Sequence, residues 1–287
     1  MKKVVLSISA MLFVGAISYA QPNMSSVDQT GLTQVATVTQ QGFNQQSKVT
    51  QKNESNTATV DQGVLPASTF SSNGNMADIL QNGKLNTAFI SQNNWVNSAV
   101  QNQQGNENMA TIWQDEIANF PTDLALNQGH DDASQLQIGD YNSATIDQGT
   151  IGNPVPTVFA SFSPVFPSAP VMPHGHNTAA QSQNGKYNLA YASQGGLNNI
   201  SVQQQLSLTA PWASSTVKNE SNHYQYGNGN TAISVQFGVR NLENVLQIGN
   251  GNTSTGIQTT MLSSSPGNNS LVCQQGTGHT STVNQSN

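Results

Sequence analysis

The stretch N56-T-A-T-V-D-Q62 decides the fold, because the chain writes it again and again. N86-T-A-F-I-S-Q92, N142-S-A-T-I-D-Q148 and N230-T-A-I-S-V-Q236 are variations on it. With Asn as position 0 and Gln as position 6, units begin at residues 23, 34, 45, 56, 75, 86, 97, 108, 131, 142, 177, 188, 199, 219, 230, 241, 252, 268 and 279. All nineteen carry Gln at position 6, fifteen carry Asn at position 0, and eighteen carry Ala or Ser at position 2, Glu243 being the exception. Position 4 is Val or Ile in eleven. Thirteen units run into the next after eleven residues, and there position 8 is Gly, or Asn at Asn53 and Asn94.

Gly and Asn tolerate a left-handed backbone, so each unit reads as a seven-residue strand followed by a four-residue turn. Strand side chains alternate between faces. Positions 0, 2, 4 and 6 share the regular face and belong inside. Positions 1, 3 and 5 vary freely and belong outside. Two units make one coil of 22 residues, with one strand in each of two facing sheets. Coils stack in parallel about 4.8 Å apart. The expected fold is all-β: a β-solenoid of about nineteen short strands in two facing parallel sheets.

Stacking also accounts for the amides. A buried glutamine alone is costly, but a column of them satisfies itself, each side chain bonding its copy one rung away. The expected ladder residues include Asn56, Gln62, Asn86, Gln92, Asn142, Gln148, Asn230 and Gln236. Position 4 is Gln at Gln101, Gln135, Gln181 and Gln203, all in odd-numbered units, whereas Ile112, Ile146 and Ala192 stand in the even units between. That alternation favours the 22-residue coil and predicts a further ladder confined to one sheet.

Composition fits a repeat and opposes an ordinary globule. Only 8% of residues are charged and 35% hydrophobic, with a formal net charge of −6. A conventional core needs more apolar surface than this to offset chain entropy. No basic patch suits nucleic acid. Residues 1–20 read as a secretory signal peptide: Lys2-Lys3, an apolar run from Val4 to Val14, and a small-residue end at Ser18-Tyr19-Ala20. Residues 21–287 are then one solenoid domain with no membrane span. Five insertions interrupt the period, at about 63–74, 115–130, 149–176, 206–218 and 259–267, and read as loops bulging from turns. The longest holds six of the eleven prolines, which block ladder hydrogen bonds.

No active site is expected, and no cofactor. His174 and His176 lack further ligands at metal spacing. Asp131-Asp132 stands at a loop end but matches no calcium loop. Asp28, Asp61 and Asp147 all sit at position 5 and read as solvated charges; Trp95, Trp113 and Trp212 are isolated. Cys273, the single cysteine, falls on an outward position.

The pattern Asn-x-Ala-x-Val/Ile-x-Gln followed by x-Gly-x-x-Asn resembles the curlin repeat. The resemblance implies a secreted, extracellular subunit that polymerises on the cell surface into curli-like amyloid fibres for adhesion and biofilm matrix. It further implies export through an outer-membrane secretion channel and nucleation by a related minor subunit. The outermost units, Asn23–Gln29 and His279–Gln285, fit the template, so both ends are expected to be open edges that template another copy. Gln29, Val283 and Gln285 are the candidate polymerisation residues. Outward Ile233, Val235 and Ile257, with Leu242, Leu246 and Leu271 on the other sheet, are candidate lateral contacts. The competing reading is a monomeric surface-binding solenoid, an adhesin or ice-binding protein. It wants a long outward threonine array, whereas Thr57/Thr59 are followed in their sheet by Thr87/Phe89 and then Met109/Thr111.

Overall fold

The computed structural model describes residues 23–63, 73–93, 95–114, 129–149, 175–207, 218–260 and 267–287. The signal segment, most of each insertion, Asn94, His174 and Trp212 lie outside them.

The described residues form nineteen strands and no helix. One parallel sheet runs, in spatial order, β1 (Met24–Leu32), β3 (Gln46–Glu54), β5 (Met76–Lys84), β7 (Ser98–Asn106), β9 (Asp132–Asp140), β11 (Thr178–Lys186), β13 (Ile200–Leu206), β15 (Thr231–Gly238), β17 (Thr253–Thr260) and β19 (Thr280–Ser286). The other holds β2 (Val35–Gln40), β4 (Thr57–Gln62), β6 (Thr87–Gln92), β8 (Met109–Gln114), β10 (Ser143–Gln148), β12 (Leu189–Gly195), β14 (Glu220–Tyr226), β16 (Leu242–Asn250) and β18 (Asn269–Thr277). Every strand pairs with the strands two before and two after it in the chain, like position on like position: Gln62 lies beside Gln92, and Gln92 beside Gln114. This is the 22-residue coil, and the insertions leave the register intact.

The core is the layer between the sheets. Ala58, Ala88, Ala110 and Ala144 at position 2 are buried, as are Val60, Ile90, Ile112 and Ile146 at position 4. The small residues bring the sheets close, and the β-branched ones fill the layer and favour the strand. The apolar column of the ten-stranded sheet ends at Ile79, where Gln101 begins the polar run, and apolar packing resumes around Ala232, Val245 and Val272.

The turns hold a feature that the pattern does not announce. Position 8 takes a positive φ that side chains rarely adopt, as expected: Gly105 has φ 120°, and an added Cβ would run into the carbonyl oxygen of Gly139 on the next rung. The residue just before most of the position-0 Asn residues is left-handed as well, whatever its type. Leu85, Val96, Glu107, Tyr141, Tyr187 and Arg240 have φ between 55° and 59°. The strain is tolerated because the stack fixes it. The amide of Glu107 donates to Lys84 O at 2.9 Å, and that of Tyr141 to Asn106 O at 3.0 Å, so the turns form a backbone ladder of their own. Side chains at this corner stack too. Tyr141 lies on Tyr187 with ring centres 4.9 Å apart, and His130 on His176 at 4.8 Å.

Candidate functional site

The glutamine columns are continuous. In the ten-stranded sheet Gln29 Nε2 donates to Gln51 Oε1 at 2.7 Å, and the chain of donation passes through Gln81, Gln103, Gln137, Gln183, Gln205, Gln236 and Gln258 to Gln285. In the nine-stranded sheet it runs from Gln40 through Gln62, Gln92, Gln114, Gln148, Gln194, Gln225 and Gln247 to Gln274. Each amide donates toward the higher-numbered rung. Its second N–H crosses to the facing sheet: Gln62 Nε2 reaches Gln46 O at 3.0 Å, and Gln148 Nε2 reaches Asp132 O at 3.2 Å. A position-6 glutamine therefore binds rung to rung and sheet to sheet with one group, which leucine or alanine could not do.

The asparagine columns run the other way. Asn86 Nδ2 and its backbone N–H both donate to Asn56 Oδ1 at 3.0 Å, and Asn108, Asn142 and Asn188 repeat the arrangement, each donating toward the lower-numbered rung. The other Nδ2 hydrogen holds the carbonyl of the position-8 residue in the turn one rung on, as in Asn86 to Gly105 O at 2.8 Å and Asn142 to Gly185 O at 2.9 Å. Asn230 follows the same rule toward Asn199 Oδ1 and Gly249 O. Asp131 takes the asparagine place in its unit. It is buried, and its Oδ1 accepts the Asn177 amide at 2.7 Å, so it belongs to the ladder and not to a loop-end cation site.

The ladder at position 4 is present in one sheet only, as the alternation predicts. Gln101, Gln135, Gln181 and Gln203 bond in succession at 3.0, 2.9 and 2.8 Å, and each also donates to a carbonyl of the facing sheet.

Two interior groups depart from the template. His223 occupies an inward position on β14, fully buried, with Nδ1 2.9 Å from Ser201 Oγ; burial pushes it down to about 3. Glu243 stands where Ala or Ser is the rule. Burial pushes its carboxyl up to about 7, against the pull of a hydrogen bond from Ser234 Oγ to Oε2 at 2.6 Å. The sequence marked Glu243 only as an exception.

The outward residues need two corrections. Asp28 is exposed, but Asp147 is buried and Asp61 is half-buried, its carboxyl raised by burial against a hydrogen bond from Thr39. Leu246, expected on an exposed apolar face, is also buried. For Leu246 the cause is aromatic. Tyr191, Tyr224 and Tyr226 lie across the outside of β12 and β14, with Leu246 and Ile248 packed beside them, and burial raises all three phenols. Bulky rings on adjacent rungs cover one another and the short side chains alongside. Among the lateral candidates Ile257 is 41% exposed, while Ile233 and Val235 are half-buried; Leu242 is half-buried and Leu271 is exposed. Cys273 is exposed, as its position requires.

At the outermost strands the inward face is open. Val27 and Gln29 on β1, and Val283 and Gln285 on β19, are half-exposed, whereas their equivalents inside the stack are fully buried. Gln285 Nε2 bonds Asn269 O at 2.9 Å and its column continues no further. Among the described residues no three His, Cys, Asp or Glu side chains could hold a metal ion, and no helix is long and apolar enough to cross a membrane. No protein-family model matches the chain, and no curated protein matches it.

Proposed function

We propose that the protein is a secreted structural subunit that stacks end to end into extracellular, curli-like amyloid fibres serving surface adhesion and biofilm matrix. The observation that carries this reading is the one-way glutamine column. It presents an acceptor without a donor at Gln29 and a donor without a further acceptor at Gln285, on half-exposed sheet edges. Such ends are complementary to each other and not to themselves, so a second copy is the natural partner. The repeat's resemblance to curlins supports the same conclusion and adds two partners, a nucleating minor subunit and an outer-membrane secretion channel. The reading involves no catalysis and no cofactor.

The test is the purified chain without residues 1–20, left at rest. The expected result is unbranched fibres in electron micrographs, with a reflection near ~4.7 Å along the fibre axis. Persistent monomers in the ultracentrifuge overturn the proposal and leave a monomeric surface-binding solenoid.

A further inference from the structure

We infer that successive copies in the stack are related by a half-turn about its axis: β1 of the incoming copy enters the nine-stranded sheet on β18, and its β2 settles on β19 in the ten-stranded sheet. The inference rests on the proposed polymer and can fail without it.

The argument starts from the strand order. The two outermost described strands, β1 and β19, belong to the same sheet. Consecutive strands alternate between sheets, so each lies half a rung beyond its predecessor. Beyond β19 the next half-step belongs to the opposite sheet, over β18. An incoming β1 placed there stands one rung, about 4.8 Å, from β18, and the β2 that follows stands one rung from β19. Without rotation β1 would sit on β19 and β2 would come to lie two rungs from β18. The free edge of β18 would then face a one-strand gap, and its whole row of N–H and C=O groups would lose the strand partner that the half-turn supplies.

The surface agrees. A groove of about 520 Å³ runs along β18 beside β19, with Val272, Gln274, Ser281 and Val283 among its lining. Val272 and Gln274 are buried while Val283 and Gln285 are half-exposed, as expected if β19 stands half a rung farther out than β18. The lengths agree as well: β1 and β18 are both nine-residue strands. The amides fix the direction. Gln274 receives from Gln247 and donates to Thr253 O, which leaves one N–H for the next rung. Gln29 gives both a donor and a free Oε1, so it extends that column without reversing it. Two copies meeting by like ends would set donor against donor or acceptor against acceptor.

The register then names neighbours. Leu246 pairs with Cys273 at position 5 within the chain. Carried one rung on, Cys273 faces Asp28 of the next copy, and Asn284 faces Thr39. Without rotation Asp28 faces Asn284 instead, on the sheet opposite Cys273. The sheets are roughly 10 Å apart and position-5 side chains point away from each other, so a short thiol cross-linker tells the two apart. Asp28, Cys273 and Asn284 are exposed and none lies in an amide column.

The experiment treats fibres with such a cross-linker and reads denaturing gels. Asp28→Cys with the native Cys273, and Thr39→Cys/Asn284→Cys in a Cys273→Ser background, should each yield ladders of linked subunits. Asp28→Cys/Asn284→Cys in the Cys273→Ser background should stay monomeric on the gel. The reverse pattern, or fibres in which none of the three pairs links, overturns the half-turn while the polymer stands. A parent chain that forms no fibres overturns both.

Discussion

Glu243 crosses the core to the place where a side chain at residue 256 would stand, and residue 256 is glycine. Everywhere else in the nine-stranded sheet position 2 is Ala or Ser, and the space at position 4 opposite is filled by its own residue. Here one long side chain and one missing side chain exchange volume across the sheets. Gly256→Ala should therefore cost about 1–3 kcal/mol by overpacking. Combined with Glu243→Ala it should cost clearly less than the sum of the two single changes. Denaturant midpoints for the four variants check this, and strict additivity would refute the exchange.

The same carboxyl and His223, on the adjacent strand, set opposite pH limits. Folded Glu243 titrates at about 7 against 4.5 when unfolded, so between those values the folded state holds the extra proton. Its stabilising share is full below about 4.5 and falls as pH rises to about 7, by on the order of 3 kcal/mol. Folded His223 titrates at about 3 against 6.5, so its share is full above about 6.5 and falls as pH drops toward 3. Glu243→Gln should flatten the alkaline side of the stability profile and leave the acidic side in place. Urea midpoints between pH 4 and pH 8 read both arms.

Gln148→Leu should be among the most destabilising single changes in the stack. It strips the acceptor from Gln114, the donor from Gln194 and a partner from Asp132 O, all in or beside the buried layer. At about 1–3 kcal/mol for each polar atom left without a partner, a loss of ~3 kcal/mol or more is expected. Gln285→Leu breaks bonds only to Gln258 and Asn269 at a half-exposed edge. It should slow seeded fibre elongation more than it lowers the denaturant midpoint. Val283→Pro, which removes a backbone donor by which the edge strand β19 pairs with β17, loosens that strand and should slow elongation further. Normal elongation by both edge variants would show that growth does not pass through these strands.

The turns offer a contrast between two left-handed positions. Val96 holds φ 56° with a β-branched side chain, a poor choice for that conformation. Val96→Asn should raise stability by about 1 kcal/mol. Gly105→Ala meets the Gly139 carbonyl and should lower it by ~3 kcal/mol or more. Thermal or urea unfolding of the two variants gives the comparison.

Bundling is the readout for the outer face. Ile233, Val235 and Ile257 lie together on the ten-stranded sheet, where Val235 pairs with Ile257. Changing all three to Lys should leave single fibres intact and separate them. Bundles of unchanged width in micrographs would remove this patch from the lateral contact.

Strand number, sheet assignment, register and the identity of the ladder residues were all legible in the sequence. The reason is physical. A stacked coil sets each inward residue against its own copy, so one favourable choice is repeated and becomes visible as a period. Even the confinement of Gln101, Gln135, Gln181 and Gln203 to one sheet could be read in this way. The direction in which each amide points leaves no such trace, because either orientation satisfies the same residue. The left-handed place ahead of most position-0 Asn residues was hidden by its varied occupants, Leu85, Val96 and Arg240 among them: the backbone ladder selects the conformation there, and the side chain does not. The burial of Asp147 leaves no mark in its own unit, because the tyrosines near it, Tyr191 and Tyr226, stand on rungs brought close only by folding. Glu243 and Gly256 each looked like a lapse in the pattern, and only their contact shows that they are one feature.

The opposed directions of the Asn and Gln columns carry a consequence for length. A side-chain amide has a dipole close to that of a peptide unit, and aligned peptide dipoles add along a helix into charged poles. Here every rung contributes amides pointing both ways along the axis, and their fields largely cancel. A stack of this kind accumulates no poles as it lengthens. The hundredth rung meets the same electrostatic environment as the tenth, and nothing in the wall's own polarity tells it to stop.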